Sequence, residues 1–224
     1  MLMLKKKILF WGGKSQTRIL IEYLNKKRNQ VVAIVDPSLK KLTFSQKEPF
    51  INTKKNFDKF LKKANHCVVG IGGHYGLART MIFDKLYELK LNPLSIIHES
   101  SIIDKSCKIG KGVQIMQGVN VNCFSEISDY TILNTGCTID HECIIGRGVH
   151  VMGKAYIGGR VIIEDFATIG SNATIFPNIR IGNGAFVGAG AVVRKNVKNN
   201  EIVTGNPAKF LKKNKLNYNL WFLK

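Results

Sequence analysis

The sequence predicts two architectures in series: a small α/β domain, then an all-β coil of six-residue repeats forming a parallel β-helix. Three observations carry this. Strand-like apolar runs alternate with helical patterns through the first ninety residues. An aliphatic residue then recurs at every sixth position from Ile97 to Val193, in an unbroken series of seventeen that ends at Asn199. A second register of small or β-branched residues follows four positions behind, as at Val113, Cys137, Ala155 and Ala173.

The first domain reads as strands and helices in alternation. Lys7 to Trp11 is a strand ending in Gly12-Gly13, and a helix follows from Ser15 to Lys27. Val31 to Val35 is a second strand, closed by Asp36-Pro37, and a Lys-rich connection leads to a helix near Asn56–Lys63. Cys67 to Ile71 is the third strand, ending in Gly72-Gly73, before a helix from Tyr75 to Leu89. Alternation of this kind implies a small parallel sheet of the Rossmann-like, dinucleotide-binding type, whose ligands bind beyond the carboxyl ends of the strands. Gly12, Gly13, Lys14, Asp36 and Gly72 lie at those ends. Glycine lets a phosphate approach backbone N–H groups at a helix start, and an acid after the second strand can accept ribose or base hydrogen bonds. The full G-x-G-x-x-G pattern is absent, so two tight structural turns are the competing reading.

The repeat region excludes a helix, whose apolar face recurs near 3.6 residues, and a meander sheet, which needs longer strands. Six residues make one short strand and one turn, and three such units close a coil of eighteen. The aliphatic residue and the residue four behind it point inward. Glycine often follows the aliphatic residue directly, as at Gly110, Gly146 and Gly158, where a turn is expected to use its backbone freedom.

Charge narrows the partners. The formal net charge is +19, yet residues 97–193 hold 7 Lys/Arg against 8 Asp/Glu, while residues 1–65 hold 16 against 4 and residues 194–224 hold 8 against 1. The basic flanks show no nucleic-acid module. They read as a solvated surface whose field attracts phosphorylated small molecules. No apolar run reaches the roughly 18–20 residues of a membrane span, and no signal peptide is read at Met1–Lys7. Five cysteines without a CxxC pair fit reduced thiols and a cytoplasmic location.

An α/β domain followed by these repeats, with Asn134-Thr135-Gly136-Cys137-Thr138-Ile139-Asp140-His141-Glu142-Cys143 and then Val149-His150-Val151, resembles the hexapeptide-repeat sugar acyltransferases of the sialic acid O-acetyltransferase type. Within that type it is most similar to the N-acetyltransferases of UDP-4-amino-4,6-dideoxy sugars. Val203 to Lys209 resembles the terminal signature of such enzymes. The resemblance implies a left-handed coil and a division into residues 1–92 for the nucleotide sugar, 93–211 for acyl transfer and 212–224 as a tail. It implies acetyl-CoA as co-substrate, no metal and a homotrimer. It makes His141 the general base, with Glu142 orienting it and Asn134 and Asp140 near the sugar. It sets His150, Gly159, Gly170, Gly188 and Ala189 along the acetyl-CoA path.

Residue chemistry agrees in outline. Acyl transfer to an amine needs a base, and a histidine flanked by carboxylates can hold one tautomer. Transfer to a sugar hydroxyl is the alternative on the same scaffold. A zinc lyase on such a coil needs three histidine ligands. The repeats offer His98, His141 and His150, with His98 far toward the first coil. A non-catalytic binding protein is the remaining competitor. The apolar tail Leu216–Leu223 is expected to pack on a face of the coil or on a neighbouring subunit.

Overall fold

A computed structural model describes residues 5–24, 28–216, 218 and 221–223. Two units emerge, one drawn from Met1–Ile71, Met81–Ile96 and Asn219–Lys224, the other from Gly72–Thr80 and Ile97–Tyr218.

The first unit is a parallel sheet. Its strands are β1 (Lys6–Trp11), β2 (Asn29–Val35), β3 (Phe50–Ile51), β4 (His66–Val69) and β5 (Asn92–Pro93), in the order β3-β2-β1-β4-β5. That is the order of the first five strands of a dinucleotide-binding sheet, with its switch point between β1 and β4. Ile8, Leu9 and Phe10 on central β1 are wholly buried, which explains the continuous apolar run. The helices are α1 (Ser15–Glu22), α2 (Lys54–Leu61) and α3 (Gly76–Glu88), and the first turn of α3 belongs to the second unit.

Two short strands, β3 and β5, escaped the sequence pattern because each offers only two residues of alternation. Helix α1 stops at Glu22, short of the expected Lys27; residues 25–27 lie outside the described residues. The tail expectation holds for Leu216, whose side chain lies against Gly184 of the coil, and is corrected for Phe222. Phe222 meets Trp11 at 5.7 Å and Phe57 at 5.8 Å between ring centroids, edge to face, so it completes an aromatic cluster of the first unit. Among the described residues no helix is long and apolar enough to cross a membrane.

The second unit is the repeat. Two-residue strands stack parallel at eighteen-residue spacing, Asn120–Val121 pairing with Ile102–Ile103 below and Thr138–Ile139 above. This stacking makes three sheets of six, five and eight strands, the flat faces of a triangular β-helix. The eight-stranded sheet ends in an antiparallel hairpin of Glu201–Thr204 with Lys209–Lys213. The inward aliphatics from Ile115 to Val193 are at most 2% exposed. Ile97, in the first coil, is 46% exposed because no coil precedes it.

The turns revise the sequence reading. The left-handed backbone falls three residues after each aliphatic, from Gly112 (φ 63°) to Gly190 (φ 66°), and Phe124, Tyr130, Glu142 and Arg160 adopt it without being glycine. The glycines directly behind the aliphatics serve another purpose. A Cβ on Gly146 would lie 2.7 Å from the backbone N of Asp165 in the next coil, so crowding between coils selects glycine there.

Arg79, in the first turn of α3, is fully buried in the second unit. Its Nε donates to the Tyr130 carbonyl (2.9 Å), and Nη2 donates to those of Gly148 (2.7 Å) and Val149 (3.2 Å). Burial pulls its pKa down to about 9. Replacing Arg79 with methionine strands three carbonyls. The expected cost is about 3 kcal/mol or more, read as a fall in the denaturant midpoint of unfolding; an unchanged midpoint would show that water takes over those carbonyls.

Candidate active site

The hexad that begins at Ile139 builds the site. Ile139 and Cys143 face the core, which leaves Asp140, His141 and Glu142 on the turn between them. The Asp140 N–H donates to the Ile157 carbonyl in the coil above, and the Glu142 N–H to the Cys123 carbonyl in the coil below, both at 2.9 Å. The turn is therefore clamped from both sides.

His141 Nδ1 lies 2.9 Å from Glu142 Oε2, and Arg160 Nε donates to the same oxygen at 3.1 Å. The hydrogen bond from His141, then that from Arg160, holds the Glu142 carboxyl below the usual range. An ionised carboxylate only accepts, so Nδ1 carries a proton, and in the neutral ring the lone pair is on Nε2. That lone pair sits against Gly159, where an added Cβ would come 2.5 Å from Nε2. Among the described residues, the Gly159 N–H donates to no protein acceptor.

Asp140 steadies the main chain. Its Oδ1 accepts from the His141 N–H (2.8 Å) and Asn122 Nδ2 (3.1 Å), and its Oδ2 from the Tyr156 hydroxyl (2.9 Å). Burial acts to raise its pKa, but these hydrogen bonds outweigh it and the net direction is down.

Asn134 is joined to His150 rather than to His141. Its Nδ2 lies 3.3 Å from His150 Nε2, while His150 Nδ1 donates to the Gly73 carbonyl at 2.8 Å. Both ring nitrogens are thus engaged within the chain. His150 is 3% exposed, and burial, helped by the Arg79 charge and opposed by the Gly73 carbonyl, lowers its pKa to about 4. The unfolded chain takes up this proton near the ordinary value of 6.5 and the folded chain only near 4. Stability is therefore complete above that window and falls as pH drops through it, by up to roughly 3 kcal/mol. A His150→Phe variant is expected to flatten this part of the pH–stability curve; an unaltered slope would exonerate His150.

Gly170 and Gly188 sit where coils touch. A Cβ on Gly170 would lie 2.5 Å from the Ala189 N, and one on Gly188 would lie 2.7 Å from Thr204 Oγ1. Packing alone accounts for both glycines, and Ala189 is exposed on the following turn. The thiols of Cys137 and Cys143 are pushed up to about 12 and about 11 by burial, so neither offers a thiolate nucleophile. Among the described residues no group of His, Cys, Asp and Glu assembles a metal-ligand set.

In the first unit, Gly12, Gly13 and Asp36 come together. Asp36 Oδ2 accepts the Gly13 N–H (2.8 Å), and Oδ1 accepts the Ser38 N–H (3.0 Å) and hydroxyl (2.6 Å). Gly12, at φ 110°, passes so near β4 that a Cβ would lie 2.9 Å from the Gly70 carbonyl oxygen. Lys14 is exposed at the start of α1. Gly72 groups with the second unit. The carboxylate already knits the two turns, which is the structural use of these residues.

Asn122, Tyr156 and Arg160 were not read from the sequence. The signal was there. Arg160 is eighteen residues beyond Glu142, and Asn122 eighteen before Asp140, so each stacks on its partner through the period of the coil.

Residues 142–177 and 160–195 match the model of the bacterial transferase hexapeptide, six repeats. The matched residues lie within the three-faced coil and carry its six-residue period. The chain is similar in structure to PerB from Caulobacter crescentus, solved with CoA and GDP-perosamine, at 26% identity and a TM-score of 0.80 over 92% of this chain and 97% of that one. WeeI from Acinetobacter baumannii aligns at 25% identity and a TM-score of 0.80, covering 92% of this chain and 100% of the other. The acetyltransferase domain of PglB from Neisseria gonorrhoeae, solved with acetyl coenzyme A, shares the fold at 24% identity and a TM-score of 0.82, over 92% and 100% of the chains. No curated protein sequence matches the chain.

Proposed function

We propose that the chain transfers an acetyl group from acetyl-CoA to the amino group of a nucleotide-linked 4-amino-4,6-dideoxy sugar. The observation that carries this is the His141 ring, held by Glu142 at Nδ1 and bare at Nε2. The likeness to PerB, whose structure holds CoA and GDP-perosamine, supports the substrate class.

In this reading His141 Nε2 removes the proton as the sugar nitrogen attacks the thioester carbon. The carbonyl oxygen gains negative charge, and the Gly159 N–H is its donor. Collapse of the tetrahedral adduct expels coenzyme A, whose sulfur receives a proton, and leaves the amide. Attack is direct, without an acyl-enzyme. Asp140 and Asn134 fix the turns beside the sugar, with His150 behind Asn134. Gly170, Gly188 and Ala189 line the path of the pantetheine arm. Residues 1–92 hold the nucleotide through the Gly12–Lys14 turn, Asp36 and Gly72, while residues 93–211 carry the acyl transfer. The coil is left-handed, and three copies associate with active sites between neighbours.

The test is release of free thiol from acetyl-CoA in the presence of UDP-, dTDP- or GDP-4-amino-4,6-dideoxy sugars. Turnover of one of them is the expected result and identifies the nucleotide. Turnover of hydroxyl acceptors only would replace this reading with sugar O-acetylation.

A further inference from the structure

Arg160 occupies the turn position of the next coil that corresponds to Glu142. Its main chain is fixed there, since the Arg160 N–H donates to the His141 carbonyl at 2.9 Å and φ is 59°. Its side chain reaches back, and its Nε donates to the very oxygen, Glu142 Oε2, that receives His141 Nδ1. Two donors from two coils thus converge on one carboxylate oxygen.

We propose that Arg160 is a positioning residue for the transfer: its guanidinium holds the Glu142 carboxylate on His141 Nδ1, so that the imidazole keeps its lone pair on Nε2. The inference rests on the reading of His141 as the base. The Glu142 side chain is 48% exposed, and on its own it rotates freely through solvent-facing rotamers. A single exposed pair of this kind is a weak restraint. A second donor on the same oxygen, carried by a side chain whose main chain is held on the adjacent coil, narrows that freedom, because the donors of a planar guanidinium point in set directions. When the carboxylate swings away, nothing on the Nδ1 side selects the tautomer, and a fraction of the rings carry the proton on Nε2, where they cannot act as base.

Exposure also separates this role from a structural one. The Arg160 side chain is 62% exposed, so losing the pair with Glu142 is expected to leave thermal unfolding unchanged. The experiment uses the full chain labelled with 15N-histidine, as wild type, Arg160→Gln, Arg160→Lys and Glu142→Gln, with His141→Ala to assign the signal. In the wild type the His141 signals are expected to report a protonated Nδ1 and a bare Nε2. Arg160→Gln is expected to give a mixture of tautomers, and Arg160→Lys to restore part of the wild-type pattern.

In the acetyl-transfer assay, Arg160→Gln is expected to lower kcat by about tenfold or more with both KM values unchanged. Adding it to Glu142→Gln lowers kcat no further, since the two act through one bond. An Arg160→Gln spectrum identical to wild type overturns the proposal, as do multiplicative losses in the double variant. Failure of the underlying reading looks different: His141→Ala then keeps its activity, whatever the spectra of the Arg160 variants show.

Discussion

Replacing His141 with alanine is expected to lower acetyl transfer by about 10²–10⁴-fold, the usual worth of a general base. Its thermal midpoint should stay within error of the wild type. The imidazole is 41% exposed and its ring is bonded to Glu142, itself 48% exposed, so removing it opens no buried cavity. The loss is expected in kcat, because the ring acts on a proton that moves only in the transition state. His141→Asn gives a second reading, since an amide can donate and accept but cannot carry the proton away. Full activity in either variant would remove His141 from the chemistry and leave the non-catalytic binding protein as the better account.

Gly159→Ala is expected to come close to the same loss while sparing the fold. A Cβ there would lie 2.5 Å from His141 Nε2 and 2.7 Å from Cε1. Those atoms belong to a half-exposed side chain on a turn, so the ring moves and the backbone does not have to. The backbone angle of Gly159 lies outside the left-handed region, so alanine adds no conformational strain. Gly159 itself is buried, and overpacking of a core site costs typically about 1–3 kcal/mol; because the atoms met belong to the half-exposed His141 ring, the cost should fall toward the lower end. The informative result is dissociation of the two readouts, with activity lost and the melting temperature kept. Retained activity would mean that the imidazole works from another rotamer, and the seat against Gly159 would lose its significance.

Much of the architecture was legible because the repeat is written at every sixth residue. The series from Ile115 to Val193 names the buried inner wall residue by residue. What it did not reveal was the reason for the glycines. Composition suggests backbone freedom at Gly146, whereas the constraint is the Asp165 N of the next coil, a neighbour visible only after the chain has closed its turn. The turn Asp140-His141-Glu142 was legible as a cluster, but its supports were not. Tyr156 and Arg160 look like ordinary surface residues until the closing of a coil brings them, sixteen residues beyond Asp140 and eighteen beyond Glu142, over that cluster. The basic turn at Gly12–Lys14 and the acid at Asp36 were visible as a pair. That the acid takes the Gly13 N–H for itself depends on a side-chain torsion that no spacing encodes.

The stacking of partners at one-coil intervals sets a rule for how this molecule can change over time. A solenoid tolerates duplication or loss of whole coils, because each new rung presents the same edge to its neighbours. The proposed chemistry is not so modular. Its smallest heritable piece runs from Asn122 through His141 to Arg160, parts of three rungs, each contributing a contact the others lack. A coil gained or lost outside that stretch shortens or lengthens the prism and leaves the chemistry alone. One gained within it leaves an intact prism with the orienting groups moved one storey away from the ring they serve.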